Sequence, residues 1–368
     1  MKEFMVLVAV IVICSTNLFA GQCDILVDKL VEKGQLTELE GKDIKTANEL
    51  LVQAEKNKTD EAIKKSSPVY KISGYSQFSY TSDPTLGGKE PFAIKTARVG
   101  FSWKLNEWTE FKIQPEFSSS AISLSTVTFK ELWADFVADK NLLKVKIGQY
   151  IIPFSFENNY PASKSKVFDT PQSMSKVITS KYDYGVQLYG NLPGESLKNL
   201  LSWRIAVING TTYASETDGM KDFSAYLITK PMNDLEFSVS DYNRYIATGS
   251  KYETHYGVSG KYETDMVFFT LEYIAGKNST GVSDVMDAII TLEGKPFGLL
   301  SSDLSLIAPV VRLERWDENI WDGKYLSYYT VGVNIYADKS VRFLVDYLVK
   351  DDNILNNNKF NAMVQINY

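Results

Sequence analysis

From Tyr70 onward the chain is a succession of segments, each about 9–11 residues long, with an apolar or aromatic side chain at every second position. A repeat of two is the period of an extended strand whose faces meet different surroundings. Such segments run from Tyr70 to Tyr80 (YKISGYSQFSY), Ala97 to Leu105, Trp108 to Phe117, Thr128 to Ala138, Leu142 to Tyr150 and Tyr182 to Gly190. Others begin near Leu201, Phe223, Leu235, His255, Val267, Asp287, Leu304, Tyr328, Val341 and Phe360, about sixteen in all. Their common length is what a tilted strand needs to cross a bilayer, and an even number brings both ends to one side.

The connections alternate too. Long or medium links (TSDPTLGGKEP, SSSAISLS, Ile151 to Lys181, TTYASETDGMK, GKNSTGVSD, DENIWDGKYL, DDNILNNN) take turns with short ones (NE, DKN, KPMND, ETD, ADKS). Two of the short class, around PGESLKN and PFGLLSS, exceed the usual length. Short turns at one end and long loops at the other are the rhythm of a membrane barrel, for which a soluble sandwich has no use. Trp103 and Trp108 bracket a tight turn, where an interfacial aromatic girdle would place them. The last segment, KFNAMVQINY, alternates Phe360, Ala362, Val364 and Ile366 with Asn361, Gln365 and Asn367 and ends on the bare aromatic Tyr368. Such an end resembles the signal read by the barrel-insertion machinery.

Composition fits this reading. Hydrophobic residues make up 44% and aromatic residues 13% of the chain, enough to exclude disorder, while a mean hydropathy of −0.16 is too polar for a helical membrane protein. A net charge of −6 argues against nucleic acid as a partner. The opening MKEFMVLVAVIVICSTNLFAGQC reads as a signal peptide over 1–20, with Gln22 standing where a lipidated cysteine would need a small residue before it. Cys14 leaves with the signal, so Cys23 has no partner for an internal disulfide. Residues 21–67 are rich in Leu, Glu and Lys at helical spacing. Gly34 can end a first helix, and Thr37 with Glu40 forms a capping box for a second. The expectation is an all-β, sixteen-stranded antiparallel transmembrane β-barrel over 68–368, preceded by a short helical periplasmic segment.

Several stretches resemble the phosphate-selective porin O and P family: GYSQF at Gly74, ARVGFSW at Ala97, and LWADFVADKNLLKVKIGQYIIPFSFE from Leu132. The pair Gly148-Gln149, followed by Pro153-Phe154 and Glu157, is the most specific of them. The resemblance implies a sixteen-stranded outer-membrane barrel, usually a homotrimer embedded in lipid and lipopolysaccharide, whose third outer loop folds into the lumen. The third outer connection is indeed the longest, and between 151 and 181 it carries Lys164, Lys166, Lys176 and Lys181 against Glu157 and Asp169. A basic constriction lowers the barrier to anions.

Strand parity points Arg98, Lys112, Lys144, Lys146, Arg204, Arg244, Lys261 and Arg342 inward, together with many carboxylates, among them Glu110, Glu116, Glu131, Asp135, Glu272, Asp287, Glu293 and Asp346. Arg98 matches the arginine of the family's second-strand motif. With six arginines in the whole chain no arginine ladder can be built, and lysine lacks the fork that suits phosphate. The residues expected to line the pore and meet anions are therefore Arg98, Lys112, Lys144, Lys146, Lys164, Lys166, Lys176, Arg204 and Arg244. Parity is expected to slip at a bulge near Pro309.

No chemistry stands out beside this. The single histidine, His255, has no serine motif with it; no Cys/His spacing suits zinc, and no phosphate-cradling glycine loop or calcium loop is present. The expected function is passive diffusion of small ions and solutes, inorganic anions such as phosphate among them, with no cofactor and no catalytic residues. The alternative is a plugged structural or adhesion barrel.

Overall fold

The computed structural model describes residues 20–47, 49–50, 53, 69–84, 92–117, 127–139, 142–178, 180–192, 200–211, 219–246, 251–277, 284–295, 306–351 and 358–368. The expected signal peptide falls outside these residues except for Ala20. Two compact units divide the chain, Met1–Pro68 and Val69–Tyr368.

In the first unit, helix α1 (Ala20–Glu32) is followed by a second helical stretch, α2, over residues 38–47. Gly34, at φ 68°, makes the turn between them, a conformation that costs glycine nothing. The capping box is formed: Glu40 N donates to Thr37 Oγ1 at 3.3 Å, and Thr37 N donates to Glu40 Oε2 at 2.8 Å. The bonds from Thr37 hold the Glu40 carboxyl below the usual glutamate range. Val27 and Leu36 are buried, and Lys45 reaches Asp28 at 2.7 Å.

The second unit is a closed antiparallel barrel of sixteen strands. These are β1 (Val69–Ser82), β2 (Phe92–Lys104), β3 (Thr109–Phe117), β4 (Thr128–Asp139), β5 (Leu143–Ile151), β6 (Tyr182–Asn191), β7 (Leu201–Ile208) and β8 (Asp222–Met232). They continue as β9 (Leu235–Ile246), β10 (Lys251–Glu263), β11 (Val267–Lys277), β12 (Asp284–Gly294), β13 (Ile307–Asp317), β14 (Leu326–Tyr336), β15 (Val341–Asp351) and β16 (Lys359–Asn367). Each strand pairs with its neighbours in sequence, and β16 returns to β1, so no edge is left unpaired. The alternation separates two surfaces. On β9, Phe237 and Val239 face out while Ser238 and Ser240 are buried; on β15, Phe343, Val345 and Tyr347 face out while Arg342, Leu344 and Asp346 are buried.

No slip occurs at Pro309. The pairing of β13 with β14 runs unbroken from Ile307 to Trp316, contrary to the expectation, because Pro309 is tolerated without an extra residue. Register shifts sit elsewhere, at Gln77/Phe78, Gln114/Pro115 and Val137/Asp139. In the first two the extra residue is a lysine. Gln77 pairs with Thr96 and Phe78 with Ile94, so Lys95 of β2 is skipped; Gln114 pairs with Glu131 and Pro115 with Phe129, so Lys130 of β4 is skipped.

At the seam between β16 and β1, Tyr368 N donates to Gly74 O at 3.0 Å and Gly74 N to Tyr368 O at 2.7 Å, while the Tyr368 hydroxyl donates to Arg98 O at 3.0 Å. A Cβ on Gly74 would stand 2.2 Å from Arg98 O and 2.5 Å from the Tyr368 ring. Gly74→Ala should therefore cost about 1–3 kcal/mol through crowding against backbone that cannot yield, read as a lower urea midpoint of the refolded barrel. An unchanged midpoint would mean the seam is not packed at this point.

Candidate functional site

Between β5 and β6 the chain does not stay at the rim. Residues 152–178 and 180–181 lie against inward-facing side chains of most of the wall and carry three short turns: α3 (Phe156–Asn159), a 3-10 turn (Ala162–Lys164) and α4 (Ser173–Lys176). At its root an apolar core forms inside the barrel, where Ile152, Phe154, Val177 and Ile178 pack with Tyr150, Ile208, Tyr242 and Ile274.

Further along, carboxylates hold the loop by its backbone. Glu272 of β11 accepts from Phe156 N at 2.6 Å, Glu157 N at 3.1 Å and Ser155 Oγ at 3.1 Å. Asp287 accepts from Ser173 N at 3.2 Å, Glu314 from Gln172 N at 2.5 Å and Asp346 from Phe168 N at 2.7 Å. Glu293 takes Lys166 Nζ at 2.7 Å, and Arg312 Nη2 takes Glu157 at 3.1 Å. Ser155 pays for its place with a positive φ of 64°, rare outside glycine, and is fixed there by Ser240 Oγ, which accepts from its N–H at 3.1 Å. The acids of β11, β12, β13 and β15 are thus occupied as acceptors for the loop.

The wall from β2 to β6 is different. Arg98 binds Glu116 and donates to the Tyr182 hydroxyl at 2.8 Å, while Lys130 Nζ reaches the other oxygen of Glu116 at 3.1 Å. Lys112 pairs with Glu131 at 2.8 Å, and Lys146 Nζ stands 3.5 Å over the Trp133 ring. Lys95 donates to Phe168 O and covers the Phe168 ring, and Lys181 donates to Tyr160 O at 2.9 Å. Between the loop and this wall, continued by Gln77 of β1, Arg342 of β15 and Met363 of β16, lies a cavity of ≈ 290 Å³. A wider space of ≈ 520 Å³ opens toward the turn between β2 and β3, bounded by Lys104, Glu110, Asp135 and Lys144.

The sequence-derived residues scatter over these surroundings. Arg98 borders the cavity. Lys112 and Lys146 lie on the same wall, and Lys144 lies toward the short turns, 5.7 Å over Tyr189. Arg204 donates to Asn159 Oδ1 at 3.0 Å on the loop. Arg244 is on the far side, bound to Glu253 at 2.5 Å and to Val177 O at 3.3 Å. Of the loop lysines, Lys164 and Lys176 are exposed and Lys166 is paired with Glu293. The sequence reading missed both lysines of the bulges: Lys95 precedes the segment read from Ala97, although β2 starts at Phe92, and Lys130 stands next to the inward Glu131, where parity does not pick it out. Gln149, fully buried, donates through Nε2 to Phe129 O at 2.7 Å and to Lys130 O at 3.4 Å, stapling the β4 bulge. Gly148 makes this possible, since at φ 125° a Cβ would meet Leu132 O at 2.3 Å.

This arrangement, a closed sixteen-stranded barrel with one long connection laid against its inner wall, is that of outer-membrane porins. No family model and no curated protein matches the chain. Solved structures do. An anion-selective porin from Comamonas acidovorans matches with a TM-score of 0.62 at 10% identity, covering 82% of this chain and 100% of that one. OprB of Pseudomonas putida gives 0.62 at 10% identity (84% and 96% covered), and OmpF of Salmonella typhi 0.61 at 11% (81% and 97%). At these identities the likeness establishes the porin fold.

Proposed function

We propose that this protein is an outer-membrane porin, a passive channel for small hydrophilic solutes with a preference for inorganic anions such as phosphate, and that it is no enzyme. The observation that carries the reading is the division of the inner wall: Glu272, Asp287, Glu314 and Asp346 of β11, β12, β13 and β15 are spent on the loop's N–H groups, and Lys95, Arg98 and Lys130 of β2 and β4 border the cavity that remains. The outward belt of Phe, Tyr, Val, Leu and Ile supports a lipid setting, since so much apolar surface is not left in water. An anion-selective porin among the similar folds points the same way. The finer reading follows the likeness to phosphate-selective porins: a signal peptide over 1–20, a periplasmic segment over 21–67, a barrel over 68–368, the loop near 151–181 as its constriction, a homotrimer bordered by lipopolysaccharide, and insertion guided by the strand ending at Tyr368.

The test is the reversal potential of the purified protein in a planar bilayer under a KCl gradient. An anion-selective current, moved toward cations when Lys112 and Lys146 are changed to glutamine, supports the reading. A barrel that folds and carries no current favours the plugged alternative.

A further inference from the structure

Lys95 and Lys130 reach the lumen only because β2 and β4 each carry one residue too many, and both border the same cavity together with Arg98, Lys181 and Arg342. Their charges are not equally spent. Arg98 and Lys130 share Glu116, and Glu157, the carboxylate in the cavity wall, is held by Arg312. In direct contact Lys95, Lys181 and Arg342 meet neutral oxygens, Phe168 O, Tyr160 O at 2.9 Å, and Ser165 O at 2.6 Å with Gln365 Oε1 at 2.9 Å, while Asp169 and Asp346 act on Lys95, and Glu157 and Glu131 on Lys181, from farther off. Asp346, next to Phe168, is taken by Phe168 N and by Asn361 Nδ2 at 2.9 Å. Three cations converging on one space without a carboxylate in contact repel one another, and an anion entering that space relieves them.

Size and donor geometry narrow the ligand. A volume of ≈ 290 Å³ is about ten times the ~30 Å³ share of a water molecule, more than a five-atom phosphate fills. The two guanidinium forks are committed, Arg98 to Glu116 and Tyr182, Arg342 to Ser165 and Gln365, so the free contacts are ammonium groups, which grip single oxygens spread apart rather than one tetrahedral group.

We propose that this cavity is a binding site for a multivalent organic anion, a di- or tricarboxylate, gripped by Lys95 and Lys181 with Arg342, Lys130 and Arg98 at its edge. The assignment rests on the channel reading and adds the solute class to it.

Citrate is the probe, with phosphate as competitor. In planar bilayers citrate should interrupt the KCl current at about tenfold lower concentration than phosphate, and Lys95→Gln and Lys181→Gln should each raise the citrate concentration needed by about tenfold. Lys95→Gln keeps a donor for Phe168 O, and Lys95→Arg, which keeps the charge, should restore citrate block to within about threefold. Lys339→Gln, on an exposed turn, serves as control. Current that citrate leaves untouched, or equal block by phosphate and citrate, would overturn the site while leaving the channel. If the barrel carries no current, the channel reading falls, and calorimetric titration of citrate into the detergent-solubilised barrel decides the site: saturable heat weakened by Lys95→Gln supports it, and absence of heat overturns it.

Discussion

Replacing Glu272 with alanine should free the first half of the loop and raise single-channel conductance about twofold or more, with a noisier open level. The carboxylate is 1% exposed and accepts three donors from Ser155, Phe156 and Glu157. A charge-assisted hydrogen bond contributes about 1.5–3 kcal/mol, and no other acceptor for the Phe156 and Glu157 amides is found among the described residues. Those bonds also hold Ser155 at its positive φ, which alone costs on the order of 1–3 kcal/mol. Without them the turn at α3 loses its hold on β11 and is left with Ser240 on Ser155 N, Arg204 on Asn159 and Arg312 on Glu157, whereas Asp287, Glu314 and Asp346 still hold the farther part. The strand ladder is untouched, so the variant should still fold to a heat-modifiable barrel. Limited proteolysis between Phe154 and Val177 gives an independent reading; unchanged conductance together with unchanged protease resistance would refute the role given to Glu272.

Glu116→Gln should move the reversal potential further toward anions. Glu116 is the one carboxylate shared by Arg98 and Lys130, and glutamine keeps an oxygen for hydrogen bonding while removing the charge. Deleting a full charge beside the path changes the barrier for a passing ion by roughly 1 kcal/mol or more at an effective dielectric between surface and water, about fivefold or more in permeability ratio. The shift should shrink at high salt, as screening requires. A potential that stays put would place the cavity off the conducting path.

Much of the barrel can be read from residues alone, because period 2 and the alternation of short and long links are local properties. All sixteen strands lie within a few residues of where the alternation sets them, and Leu304 against Ile307 shows the usual blur at an element's start. The site was less legible for two physical reasons. Parity counts residues, and a bulge adds one without announcing itself, so Lys95 and Lys130 do not appear among the inward residues that the count picks out. The loop's lysines drew attention by their charge, yet what holds the loop is its backbone N–H groups meeting carboxylates more than a hundred residues away, a pairing that no spacing encodes. Lys166 is the clearest case, spent on Glu293 rather than free.

Gly148 and Gln149, singled out by resemblance as a motif, turn out to brace the irregularity in the neighbouring strand. That has a consequence for how such barrels diversify. A substitution on a lumen face trades one side chain for another, but inserting a single codon into a strand that has a ready brace beside it adds a charge to the interior and leaves the lipid-facing sequence on either side in phase. Variation in the solutes a barrel of this kind admits can therefore be written in insertions and deletions of one residue within strands, where alignments of strand against strand would register only a gap.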